Sequence, residues 1–363
     1  MSSRRGLTLI ELVLAVGLFA MLTLVVVQIV GSTMKVWTRA EGQRFAIGTH
    51  TTISSQVLEE LDQLASGEHG DLLVDWELFD TDGDGIATQP LQRVRFVRRA
   101  NSADLVRLGL REVDPQNPSA ARIEGGELPL LEVFYCVLPA DRGPLLESTP
   151  GFPGDAVLWR GERLLEDRGK LSCFASDFFV AGFPPPGSAE PIQGGVLWFE
   201  LQCAGRGTDL ERGWKVGPEA TDAVRAWDSD GGRRLRTAVH PFNANYSAMP
   251  AFRGEPLFPR RLRLVLEVAG PKDALACPHL AAPLVPEDDE MVVDRPQNLP
   301  PSGSLVLIGE EWVEIGFPGR RTRLHRPQRG SSIGAHREGT PIQIGRRFER
   351  EVDVPLARED WRK

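Results

Sequence analysis

The stretch Gly6-Leu7-Thr8-Leu9-Ile10-Glu11-Leu12-Val13-Leu14-Ala15-Val16 opens an apolar run that continues to Val30. A short basic segment, Met1-Ser2-Ser3-Arg4-Arg5, precedes it, and from Leu7 to Val27 the only charged residue is Glu11. A helix of about 20 apolar residues spans a bilayer. One carboxylate at the centre of such a span costs roughly 2.5 kcal/mol or more on insertion scales, so Glu11 needs a partner or a role.

A secretory signal peptide has a shorter apolar core and an Ala-x-Ala-like exit, and no such exit occurs before Lys35. An ordinary signal anchor gives no reason for Glu11. Arg4 and Arg5 lie before the span. The positive-inside rule therefore keeps residues 1–6 cytoplasmic and puts the bulk of the chain outside. In a Gram-negative cell this is a single-pass inner-membrane protein with a periplasmic body.

The helix is expected to continue past the membrane. Ile53, Val57, Leu58, Leu61 and Leu64 recur at three- and four-residue spacing and make one apolar stripe. Glu59, Glu60, Asp62 and Gln63 are assigned to the opposite face. Ser66-Gly67 reads as a stop near Ala65. At 1.5 Å per residue, Leu7 to Ala65 is about 90 Å of helix. Gly17, Gly31, Gly42 and Gly48 predict bends.

Beyond Gly67 the period changes to two. Gln92–Val97, Leu105–Arg111, Leu131–Val137, Val157–Arg160, Gly195–Gln202 and Leu262–Val268 read as strands. The 37 glycines and 28 prolines favour many turns. The expected fold class is α+β, a long N-terminal helix laid on antiparallel sheet. The expected segments are a leader (1–6), a membrane helix (7–30), its amphipathic continuation (31–66) and a β-rich domain (67–270). A Pro-rich acidic linker (271–299) and a small C-terminal β unit with tail (300–363) follow.

The N-terminal pattern resembles the class III signal of type IV prepilins and type II secretion pseudopilins. That pattern is a basic leader ending in Gly, an apolar residue, and Glu as fifth mature residue. Here Gly6, Leu7 and Glu11 fill those places, with Leu7 where the family usually has Phe. The resemblance implies cleavage after Gly6 by a prepilin peptidase and N-methylation of Leu7. It also implies a structural role in which Glu11 meets the terminal amine of a neighbouring subunit. The strand series, with Trp227-Asp228-Ser229 and Phe258–Glu267, is similar to the J-type minor pseudopilin of type II secretion. That subunit belongs to the pseudopilus tip and works with other minor and major pseudopilins. A minor, adhesive pilin of a type IV pilus is the alternative.

Asp80-Thr81-Asp82-Gly83-Asp84-Gly85 places carboxylates at alternate positions, an arrangement that suits Ca²⁺. The twelfth position is Leu91, so a complete EF-hand is excluded; an acidic, Gly-rich turn is the plain alternative. Cys136, Cys173, Cys203 and Cys277 fit no zinc spacing and are disulfide candidates. Ser304–Ile315, Arg321–Arg326 and Gly339–Ile344 read as strands of a C-terminal unit. With Arg329-Gly330-Ser331-Ser332 it is similar to a small β unit of phage tail and surface proteins, which implies a structural repeat. His336 within it reads as a turn-stabilising residue.

The net charge of −8 argues against nucleic acid as a partner. Six scattered histidines, no Gly-x-Ser-x-Gly elbow and no phosphate loop leave no basis for an enzyme.

Overall fold

The computed structural model describes residues 9–66, 69–79, 89–109, 128–139, 156–167, 169–179, 183–204, 225–235, 242, 257–269 and 277–354. It is α+β, with an N-terminal apolar helix and antiparallel sheets. Helix α1 runs unbroken over Leu9–Leu61, 53 residues. It ends four residues before the expected stop because the sheet captures its backbone. Gln63 and Leu64 tighten into i→i+3 turns, the Ala65 N–H donates to the Val97 carbonyl, and Arg99 N–H donates to the Gln63 carbonyl.

Strands β1 (Leu72–Phe79) and β2 (Gln89–Arg99) pair in register from Leu72↔Phe96 to Phe79↔Gln89. Helix α2 (Ser102–Arg107) follows. Then come β3 (Leu130–Pro139), β4 (Ala156–Leu164), β5 (Ala189–Gly194), β6 (Val196–Ala204), β7 (Trp227–Asp228) and β8 (Arg261–Ala269). The C-terminal part adds β9 (Glu290–Val292), β10 (Leu305–Ile308), β11 (Glu311–Phe317), β12 (Arg321–Gln328), β13 (Ile342–Gln343) and β14 (Gly345–Asp353). Among the described residues these form a six-stranded sheet β5-β4-β3-β2-β1-β7, a three-stranded sheet β14-β8-β6 and a five-stranded sheet β13-β10-β11-β12-β9.

The chain passes from the first sheet to the second at Gly195. Its φ of 76° lies in the left-handed region, where a side chain is disfavoured. β6 is an edge strand in a fully buried setting, so its backbone needs a partner. Gln92 supplies one: its amide donates to the Leu201 carbonyl and accepts from the Leu201 N–H, at 3.1 and 2.5 Å.

The main core lies between α1, the six-stranded sheet and the three-stranded sheet. It holds Ile53, Val57 and Leu61 of α1 against Phe96, Val133, Phe199, Leu264 and Leu266. Each fully buried side chain of this size contributes about 1.5–3 kcal/mol.

Three expectations need correction. Leu105–Arg111 is no strand: Ser102–Arg107 is helical and residues 110–111 lie outside the described residues. Asn101 and Asp104 form a capping box, each side chain bonded to the other's backbone N–H at 2.9 and 2.8 Å. That pairing satisfies two donors a helix start leaves open.

Within the expected linker 271–299, residues 277–299 are part of the folded C-terminal unit. Leu280, Leu284, Met291 and Val293 are core residues of the C-terminal unit, and β9 pairs with β12.

Nor does the unit run to the end of the chain. β14 leaves it and pairs with β8 over nine residues, Gly345↔Ala269 to Asp353↔Arg261. The unit is thus inserted between two paired strands of the main domain.

It also docks there. Trp312 meets Trp198 edge-on at 5.7 Å, and Trp198 meets Trp76 at 5.2 Å. The Arg329 guanidinium lies 4.0 Å from the Trp312 ring and 4.6 Å from that of Trp198, and donates to Glu267 at 2.6 Å.

Candidate functional site

Two parts of α1 stand out from the rest of the chain. From Leu12 to Met34, 23 residues, the helix is apolar and none of it is buried. That length is about 35 Å, against roughly 30 Å for a bilayer core. Its hydroxyls need no water: Thr23 donates to the Phe19 carbonyl, and Ser32 and Thr33 to that of Ile29, at 2.8–2.9 Å. Exposed Trp37 follows the span, a position suited to the membrane–water boundary. Among the described side chains the first buried one is Ala46, with Phe45 partly buried beside it.

Gly6 and Leu7 lie outside the described residues, as do Asp80, Asp82 and Asp84. Glu11 lies in the first turn of α1. Among the described residues no group of three or more His, Cys, Asp or Glu is placed to hold a metal ion.

At its other end α1 sits in a buried ionic network. Glu60, 9 % exposed, was expected on the solvent face. Its Oε1 accepts from Arg160 Nε at 3.0 Å and Nη2 at 2.6 Å, and its Oε2 accepts from the Tyr135 hydroxyl at 2.7 Å. Arg160 also donates to Glu162 at 2.6 Å. Arg98 Nη2 lies 3.5 Å from Glu60 and 3.7 Å from Glu162. Arg98 forks onto Asp104 at 2.6 and 3.0 Å. Arg107 pairs with both Asp104 and Glu162.

Three carboxylates thus face three guanidinia with no net charge left over. Such a group persists in a low-dielectric setting only because every member is compensated. Burial pushes the Asp104 carboxyl up. Hydrogen bonds from Arg98, the Asn101 N–H and Arg107, with the Arg98 charge, outweigh that and hold it well below the usual range. Burial, then the Glu60 charge, pushes the Tyr135 phenol well above its ordinary value, so it stays a donor.

The signal for Glu60 was in the stripe itself. Val57, Glu60 and Leu64 stand three and four apart, so Glu60 faces inward with them. The partners Tyr135 and Arg160 face each other across β3 and β4, and no local pattern in the sequence ties them to position 60.

The cysteines form no disulfide. Cys136 and Cys203 lie on strands of different sheets, Cys173 on a turn segment, and Cys277 at the start of the C-terminal unit. Burial drives the Cys136 thiol up to about 12 despite nearby Arg93 and Arg95, so it is a protonated core residue.

Two cavities open on the outer face of the six-stranded sheet. One, of about 290 Å³, is lined by Phe134, Phe178, Leu171, Pro185 and Glu132. Its carboxylate is already engaged: Glu132 accepts from Arg163 at 2.6 and 2.8 Å, from Ser172 and from the Cys173 N–H. The other, of about 280 Å³, holds Asp75 against Arg93 and Arg95, both at 2.5 Å. In the first cavity the Cys173 thiol lies beside Glu132, and burial, then the Glu132 charge, pushes it well above its ordinary value, so it stays protonated. His336 bonds Glu311 at 2.9 Å, and Arg326 donates to both oxygens of that carboxylate. The arrangement supports a turn.

No family model, curated protein or solved structure matches this chain. The functional reading therefore rests on the helix and its seat.

Proposed function

We propose that this chain is a structural minor pseudopilin of a type II secretion system, of the J-type, in the tip complex that starts filament assembly. The pseudopilin likeness of the fold, the inner-membrane setting and the periplasmic position of the β-rich body belong to this proposal. One observation carries it. A single unbroken helix exposes a membrane-length apolar half and seats its other half on antiparallel sheet. A cleaved signal has no reason to continue as the packed helix of a folded domain. A plain anchor has no reason for the Gly6–Leu7–Glu11 spacing.

In this reading the exposed half is extracted from lipid into a bundle of like helices. Glu11 then stands in an apolar setting and needs a cation. The free amine of a neighbour's first mature residue supplies it and fixes the stagger of the two subunits.

Glu11→Ala tests this. The variant should insert in the membrane as well as the original, because it removes a cost. It should lose co-purification with the other minor subunits, and with it secretion. Unchanged levels of both would remove Glu11 from assembly. If secretion were untouched while pilus formation failed, the type IV pilus reading would replace this one.

A further inference from the structure

The contact between α1 and the sheets is of two kinds. Along Ala46–Leu58 it is mostly apolar, with Ile53 and Val57 fully buried; Thr49 and Ser54 are buried with them, and the Ser54 hydroxyl donates back to the helix at the Thr51 carbonyl. Among the described residues, side-chain hydrogen bonds and ion pairs from α1 to the sheets come only from Glu60; Gln63, just past the helix, adds one from Arg98.

An apolar stripe of helical period nearly repeats after one turn. A shift of about 5.4 Å carries Ile53 toward the place of Val57, and Val57 toward that of Leu61. Such a surface resists separation but distinguishes poorly between registers. A buried polar contact does distinguish them. One turn of slip would leave Glu60, Tyr135 and Arg160 buried without each other, which is how a single polar residue fixes register in helix packing.

We propose that Glu60, held by Tyr135 and Arg160, fixes the axial register of α1 on the sheet. It thereby sets the distance between the folded domain and the membrane-length half of the helix. The consequence for height above a bilayer, and for passing axial load from filament to domain, rests on the function proposed above. The register itself does not, so its test needs no membrane.

The His50 ring stacks on Phe348 at 4.3 Å, which marks the native register. The test uses the full chain in detergent with Cys277→Ser, the other cysteines being buried. Phe348→Cys is combined in turn with Ala46→Cys, His50→Cys or Ser54→Cys, and disulfide cross-linking is measured. The unmodified seat should give the 50–348 product alone. Glu60→Gln can still accept from Arg160 through its oxygen and donate through its NH2 to the Tyr135 oxygen, and should do the same.

Replacing the seat by Glu60→Leu, Tyr135→Phe and Arg160→Met should leave a folded chain, since apolar replacement of a buried ion pair is tolerated. Its 46–348 or 54–348 product should rise roughly tenfold, equivalent to about 1.4 kcal/mol of lost register preference. Moving the carboxylate one turn back, by Gln56→Glu with Glu60→Leu, should replace the 50–348 product with 46–348.

A folded chain that keeps 50–348 alone in both variants would overturn the proposal. So would loss of cooperative melting in both, because the seat would then serve stability and not register. Failure of the Glu11 experiment would leave this result intact.

Discussion

Residues 12–34 of α1 carry apolar side chains on every face and bury none of them. Residues 46–61 carry theirs on one stripe and bury nearly all of it. The same secondary structure is thus held by two different environments. In the second half, tertiary packing offsets the cost of ordering the helix. In the first half no described residue buries the helix, and its length and composition suit an apolar solvent. Apolar content alone therefore does not mark a core; its distribution around the helix does.

The largest expected effect separates the halves by one substitution made in each. Val57→Asp places a carboxylate in a fully buried site. It should cost more than about 4 kcal/mol and abolish cooperative melting of the detergent-solubilised chain. Val25→Asp should leave that melting curve unchanged and instead reduce membrane insertion, by about 3 kcal/mol on insertion scales. A fall in melting temperature for Val25→Asp would mean the exposed half has a partner within the chain.

Glu60→Ala tests the ionic seat. It strands Arg160 and the Tyr135 hydroxyl, and removing one partner of a buried pair costs about 3–5 kcal/mol. Thermal unfolding reads this directly. A loss below about 1 kcal/mol would show that the seat is solvated in solution.

The seat should also give the packed half a pH dependence. Asp104 is held below its ordinary value of 3.8. Its contribution is therefore fully present above that pH and is lost as the pH falls through and below it. Melting temperature should drop on acidification from about pH 4 downward. Asp104→Asn should start lower and lose less across the same range. Equal slopes for the two would take Asp104 out of the acid response.

The smallest effects come from adding one methyl group. A Cβ at Gly161 would lie 2.1 Å from the Phe134 ring and 2.3 Å from the Ser188 carbonyl, so Gly161→Ala should cost about 1–3 kcal/mol. A Cβ at Gly17 meets nothing within 4 Å. Gly17→Ala should leave domain melting unchanged and favour the helix by up to about 1 kcal/mol. Destabilisation of the folded domain by Gly17→Ala would contradict its exposure.

Much of the architecture was legible where one local pattern dominated. The membrane-length run, the 53–64 stripe and the strands at Gln92–Val97, Leu131–Val137 and Leu262–Val268 are such places. What escaped depended on partners distant in the chain. The inward position of Glu60 follows from its spacing to Val57 and Leu64, but its partners Tyr135 and Arg160 lie 75 and 100 residues away and leave no local trace. Leu105 alternates like a strand residue, but the Asn101–Asp104 box decides the matter.

In 277–299 the prolines and acidic run hid Leu280, Leu284, Met291 and Val293, too widely spaced to show a period. β14 reads Gly-Arg-Arg-Phe-Glu-Arg-Glu-Val-Asp, whose apolar Phe348 and Val352 stand four apart, a helical spacing. Pairing with β8 overrides it. Of the candidate site, Gly6, Leu7 and the Asp80–Asp84 loop lie outside the described residues.

The central claim is that the exposed half of α1 belongs to a processed, pilin-like subunit. Intact-mass measurement with N-terminal fragmentation, on the chain purified from its own cell membranes, tests it most directly. The expected result is a mature chain that begins at Leu7 and carries one methyl group on its terminal amine, with Gly6→Val leaving the full-length precursor. A chain that begins at any residue other than Leu7 would contradict it.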